Sequence, residues 1–252
     1  MLNRIIHGED GATPVLIVHG LYGSARNWGV IAKRLSDRGR VVAVDQRNHG
    51  QSEWVTPHTY AGMAADLVEV IRAEGGQMDV VGHSMGGKAA MMLALTEPEL
   101  IRKLIVADIA PVTYAHSQIE HIERMRAVDL GKVTRRSDAE AQLQALGCSP
   151  ALCAFFTQSL DVKKKCWILN LDVLARDMDE ILGFPPMHTQ FTGPTLFLSG
   201  AESDYVSSEH RSEIKRLFPG ARFAKIPGAG HWLHAEKPRE FEGSVRAFLG
   251  DR

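Results

Sequence analysis

Three side chains of this sequence have the types and settings for nucleophilic chemistry: a serine, a histidine and an aspartate, each at the end of an apolar run or among glycines. Gly82-His83-Ser84-Met85-Gly86 matches the pattern G-x-S-x-G. With 23 glycines in 252 residues the bare pattern carries little weight, and its setting carries more. It directly follows the apolar run Val80-Val81 and directly precedes a helical pattern over Met85–Thr96. A serine on such a strand-to-helix turn has a strained backbone and an exposed Oγ. Gly82 and Gly86 stand where the chain entering and leaving the turn leaves no room for a Cβ.

A serine hydroxyl is a poor nucleophile near neutrality and needs a base. His231, in Gly228-Ala229-Gly230-His231, is the candidate, since the flanking glycines let its imidazole move between nucleophile and leaving group. His234 reads as packing at a helix start and His19 as a structural hydrogen-bonding group. The base requires a carboxylate to hold its tautomer. Asp108 and Asp204 both sit just past strand ends, with Glu202 behind them. Asp108 is favoured because it follows the strand next to the serine-bearing one, and Asp204 stays as the alternative acid. A tetrahedral intermediate needs backbone N–H donors for its oxyanion. Met85 and Leu21, the latter in His19-Gly20-Leu21-Tyr22-Gly23, are expected to supply them.

The same residues admit competing chemistries. Gly82 to Lys88 also spells G-x-x-x-x-G-K, but Ala89 stands where a phosphate-binding loop places a magnesium-ligating Ser or Thr. There is no HExxH, and His231, His234, His116 and His121 lack a third ligand at metal-binding spacing, so neither metal nor cofactor is expected. Cys148, Cys153 and Cys166 are odd in number and crowded together, which reads as free thiols in a reducing compartment. Lys163-Lys164-Lys165 reads as a solvated face.

The elements that must position these groups follow from apolar patterning. Pro14-Val15-Leu16-Ile17-Val18, Arg40-Val41-Val42-Ala43-Val44, Met78-Asp79-Val80-Val81, Lys103-Leu104-Ile105-Val106-Ala107, Thr195-Leu196-Phe197-Leu198 and Arg222-Phe223-Ala224-Lys225-Ile226 read as strands. Between them lie helical patterns, one from Tyr60 to Ile71 behind the N-cap Thr59 and another over Pro238–Leu249. Such alternation predicts an α/β fold with a mostly parallel central sheet flanked by helices. Residues 112–193 break the rhythm with helical spacing and no convincing strand, including a helix over 167–174, and are far too long for a loop. They read as an inserted helical cap on a core of residues 1–111 and 194–252. Trp167, Met187, Phe155 and Phe156 are its candidates for an apolar acyl pocket.

Lys plus Arg number 29 against 30 Asp plus Glu, a net charge of −1, so no global field favours nucleic acid or an anionic membrane. No apolar stretch is long enough for export or membrane spanning, and the expectation is a cytoplasmic protein, monomeric or a weak dimer.

Taken in order, His19-Gly20, residues 45–52, the serine turn and Gly230-His231 resemble the α/β-hydrolase superfamily over nearly the whole chain. Gly82 to Ala89, Asp108-Ile109-Ala110-Pro111-Val112 and Trp167-Ile168-Leu169-Asn170-Leu171-Asp172 are similar to the bacterial YbfF esterases and their abhydrolase-11 relatives. The resemblance implies a cofactor-free serine esterase with a helical cap, acting on a small-molecule acyl ester or thioester. Many relatives place the acid three residues after the glycine that follows the penultimate strand, a register that lands here on Ser203. The bacterial members of the subgroup carry it after the earlier strand, in agreement with Asp108. The same fold also hosts perhydrolysis and carbon–carbon bond cleavage, and a ligand receptor that keeps the triad is a reading from a different class.

Overall fold

Every residue of Val15–Val18 and Val41–Val44 is buried, as a strand covered on both faces requires. A computed structural model, which describes residues 1–250, joins seven strands into one sheet. In chain order the elements are β1 (Arg4–His7), β2 (Val15–Val18), α1 (Gly29–Leu35), β3 (Val41–Val44), α2 (Tyr60–Ala73), β4 (Met78–His83), α3 (Met85–Thr96) and β5 (Ile101–Ala107). The intervening segment carries α4 (Ile119–Arg126), α5 (Arg136–Ala145), α6 (Pro150–Thr157), a hairpin of β6 (Leu160–Asp161) and β7 (Cys166–Trp167), α7 (Leu171–Arg176) and α8 (Met178–Leu182). Then follow β8 (Thr195–Gly200), α9 (Arg211–Leu217), β9 (Arg222–Ile226), α10 (Leu233–Glu236) and α11 (Pro238–Leu249).

The sheet order is β1-β3-β2-β4-β5-β8-β9, with β1 antiparallel and every other pairing parallel. Side chains alternate between two cores. Leu16, Val18, Val80, Leu104 and Val106 face α2, α3 and α9, whereas Val15, Ile17, Val81, Ile105 and Ala107 face α1 and α11. Register then decides what meets at the carboxyl edge. Val18 pairs with Gly82 and Gly82 with Val106, so the residues following β2, β4 and β5 emerge side by side. Ligand sites of open α/β sheets form at this edge.

The structure corrects two readings of the elements. Residues 112–193 hold a strand pair, and Trp167 lies in it rather than opening a helix. Buried Trp167 and Leu169 alternate with less buried Cys166 and Ile168, a strand period, and the helix begins only at Leu171, capped by the Asn170 side chain. The turn of this hairpin is Asp161-centred, its carboxylate accepting from the N–H groups of Lys163 and Lys164 at 3.0 Å each, with the lysines exposed as expected. β1 also escaped the patterning, because an edge strand exposed on one side lacks a continuous apolar run. Elsewhere the helical expectations hold: α3 and α11 have the expected bounds, and the Thr59 hydroxyl accepts from Gly62 N–H. Among the described residues, no helix is long and apolar enough to cross a membrane.

Candidate active site

Ser84 turns the chain from β4 into α3 with φ 52° and ψ −122°, a conformation that L-residues avoid and that surrounding contacts must impose. Those contacts are visible. A Cβ on Gly82 would overlap the Gly86 carbonyl, and one on Gly86 would overlap the carbonyl oxygens of Val18 and His19. The Ser84 N–H donates to the Ala107 carbonyl at 3.0 Å, tying the turn to the neighbouring strand.

His231 lies in the loop after β9 with Nε2 3.1 Å from Ser84 Oγ and Nδ1 2.8 Å from Asp108 Oδ2. With Nδ1–H donating to the carboxylate, Nε2 is left as the acceptor for the serine hydroxyl. Asp108 is fully buried, and its other oxygen accepts from the Gly200 N–H at 3.1 Å. Ser203 Oγ donates to Asp108 Oδ2 at 2.5 Å. Asp204 is exposed and stands outside this chain of hydrogen bonds. The loop after β8 therefore brings a serine, rather than its own acid, to the carboxylate.

Two further residues hold the imidazole without having stood out in the sequence. Tyr205 stacks on the His231 ring at 4.0 Å between centroids, and His83 Nε2–H donates to the His231 carbonyl at 2.8 Å. His83 belongs to the serine motif itself, so its position was a signal. Tyr205 carries no local pattern, and Ser203 stands at the register where many relatives place the acid. His19 and His234 take the structural places expected of them. His19 donates from Nδ1 to the Gly20 carbonyl and accepts the Gln46 N–H on Nε2, at 2.8 and 3.0 Å. His234 stacks on Trp28 at 4.0 Å, and burial pulls its pKa down to about 3.

A cavity of about 250 Å³ opens over Ser84 and His231. Leu21 and Met85 line it beside the serine, Met85 at the first position of α3, where a backbone N–H has no intrahelical acceptor. Phe155, Phe156 and Leu152 of α6, with Ile181 and Leu182 of α8, form walls contributed by the segment between β5 and β8. Trp167 and Met187 do not line it. The Trp167 indole donates to the Met125 carbonyl at 2.9 Å, and Met187 packs on the core. Lys88, the last residue of the phosphate-loop-like run, is buried in α3 and lines the same cavity. The loop over residues 45–52 is fixed beside it by the Asp45 carboxylate, which accepts from Ala25 and Gln51 N–H, and by Arg47 paired with Asp66 at 2.6 Å. Among the described residues, no three His, Cys, Asp or Glu side chains gather as a metal site would require.

Comparison with known proteins shows what the chain as a whole is similar to. Residues 15–243 match the Alpha/beta hydrolase family. The chain is 40% identical over 256 residues to the sn-1-specific diacylglycerol lipase ABHD11 of Danio rerio, covering 97% of this chain and 81% of that protein. It is 36% identical over 247 residues to esterase YbfF of Escherichia coli K12, covering 96% and 95%. Among solved structures, a marine microorganism esterase superposes with a TM-score of 0.93 at 37% identity, covering 98% of this chain and 99% of that one.

Proposed function

The chain belongs to the alpha/beta hydrolase family, and from that premise we propose that it is a serine hydrolase of carboxylic esters working through Ser84, His231 and Asp108. One observation carries the assignment: a continuous hydrogen-bonded line from Ser84 Oγ through the imidazole to a fully buried carboxylate, opening on a largely apolar cavity.

In the proposed reaction His231 Nε2 takes the Ser84 proton as Oγ bonds to the acyl carbon. The carbonyl π-electrons move onto oxygen, where the Leu21 and Met85 N–H groups stabilise the charge. Asp108 holds the ring orientation and favours the imidazolium. Collapse re-forms the carbonyl, breaks the bond to the alcohol oxygen and returns the proton to that leaving group. Water, deprotonated by His231 Nε2, then bonds to the acyl carbon, the bond from that carbon to Ser84 Oγ breaks to release the acid, and the imidazolium returns the proton to Oγ. Residues 112–193 act in this reading as a cap over the core of 1–111 and 194–252, supplying walls that exclude water and hold the acyl chain.

The test is hydrolysis of p-nitrophenyl esters from acetate to palmitate by the wild type and Ser84→Ala, with chelator present. Turnover that survives chelation and disappears in Ser84→Ala is the expected result, and the best chain length reports the usable cavity depth. Equal turnover in both proteins would remove Ser84 from the mechanism.

A further inference from the structure

Lys88 lies one helical turn beyond the nucleophile, its backbone N–H donating to the Ser84 carbonyl at 3.0 Å. Its residue is 1% exposed, and it lines the cavity with Ser84 and His231. The ammonium donates to the carbonyl oxygens of Leu182 and Gly183 at 2.7 and 2.6 Å, where α8 ends. It lies 4.9 Å from the centre of the Tyr114 ring and 5.7 Å from that of Tyr60. Both phenols are engaged elsewhere, donating to the carbonyls of Tyr205 and Ile181 at 2.6 Å each. Among the described residues no Asp or Glu pairs with Lys88, and burial alone draws its pKa down to about 7.

An ammonium carries three N–H donors, and the two carbonyls occupy two. Among the described residues, the third N–H has no oxygen acceptor and no carboxylate neutralises the charge, which faces the rings of Tyr114 and Tyr60. A methionine would fill the same volume but leave the carbonyls of Leu182 and Gly183 without this donor, so the lysine serves the end of α8 and still has one N–H to offer. What remains is a cationic hydrogen-bond donor in an apolar cavity shared with the nucleophile.

We propose that Lys88 binds a carboxylate at the far end of the acyl chain that Ser84 attacks, which makes half-esters of dicarboxylic acids the preferred substrate class. The proposal rests on Ser84 as nucleophile. The acyl carbon sits between Ser84 and the oxyanion donors, the intervening methylenes lie in the cavity that Ser84, Ile109, Tyr114 and Lys88 line together, and the terminal carboxylate takes the third N–H of Lys88. A charge-assisted hydrogen bond in this dry setting is stronger than the same contact in water.

Monoethyl esters of succinic through sebacic acid, each paired with the ethyl ester of the equally long monocarboxylic acid, would be hydrolysed by the wild type and Lys88→Met under pH-stat control. The wild type should favour the half-ester at least tenfold in kcat/KM at one or two chain lengths, mainly through KM, and in Lys88→Met that ratio should fall to one or below. A wild-type ratio of one or less at every length, or a wild-type ratio kept in Lys88→Met, overturns the proposal. Calorimetric titration of Ser84→Ala with free dicarboxylates needs neither a Lys88 variant nor turnover. Binding at least tenfold tighter than that of the matching monocarboxylate supports the site, and equal binding rejects it. If no ester is hydrolysed but the dicarboxylate binds selectively, the hydrolase reading fails and the Lys88 site stands.

Discussion

Asp108 Oδ2 accepts both His231 Nδ1–H and the Ser203 hydroxyl, so the two partners share one oxygen but serve the imidazole differently. Replacing the carboxylate by an amide allows the imidazole to hold the wrong tautomer, whereas losing Ser203 removes one hydrogen bond from a carboxylate that stays charged. Asp108→Asn should therefore lower kcat by about 10³–10⁴-fold. Ser203→Ala should lower it by roughly 10-fold. The exposed Asp204→Asn should stay within about twofold of wild type, as distant surface changes do. Initial rates on p-nitrophenyl butyrate, with circular dichroism to verify folding, give the order, and a larger loss in Asp204→Asn than in Asp108→Asn would transfer the acid role. Ser84 and His231 were legible because glycines and a strand end mark each locally. Asp108 was legible from its place after the strand beside the nucleophile's. Ser203 was marked only as the acid register that holds no acid, because its hydrogen bond to Asp108 joins loops 95 residues apart, which no local pattern encodes.

At the scale of elements, the glycines of the site separate two meanings of the same residue. Gly86 lies where α3 touches the end of β2, and a methyl there meets backbone carbonyls that cannot swing away. Gly86→Ala should cost about 1–3 kcal/mol, seen as a lower urea midpoint, and should impair ester turnover by moving Met85 and the oxyanion donors. Gly243, exposed within α11, has open space for at least 4 Å around the position a methyl would take, and no positive φ. Gly243→Ala should therefore stabilise the protein by about 0.5–1 kcal/mol, through the lower backbone entropy of the unfolded chain. Finding the same sign for both would undo this distinction. The buried parallel strands were readable because burial on both faces demands unbroken apolar runs. β1 and the β6–β7 hairpin were not, since a half-exposed edge strand and two-residue strands leave too short a signal. The hairpin nevertheless anchors the inserted segment: the Gly50 N–H donates to the Ile168 carbonyl and the Asn170 N–H to the Asn48 carbonyl, each at 2.9 Å.

Across the whole molecule, the length of the inserted segment was plain in the sequence, but the cavity was not, because its walls come from the loop after β2, from α3, α6 and α8, and from the loops after β8 and β9 at once. The same convergence buries His19, His49, His58, His83 and His234 near the carboxyl edge of the sheet. Burial lowers the pKa of all five from 6.5, to about 4 for His58 and about 3 for His234. Neighbouring imidazoles add to it, His19 and His58 acting on His49, and His234 and His231 on His83. In the unfolded chain these rings take up protons as pH falls through 6.5, while the folded protein keeps them neutral until much lower pH. The unfolded state thus binds more protons in that interval, and stability must fall with falling pH. Relative to pH 8, His58 and His234 each remove about 2 kcal/mol by pH 5, a sizeable part of the 5–15 kcal/mol typical of a domain. Urea midpoints should be nearly constant from pH 8 to 7, then drop steeply towards pH 5. His234→Phe, which keeps a ring against Trp28 but cannot be protonated, should flatten the slope. A midpoint unchanged between pH 7 and 5 would mean that these histidines open to water before they protonate, and that the carboxyl edge is less tightly closed than its packing requires.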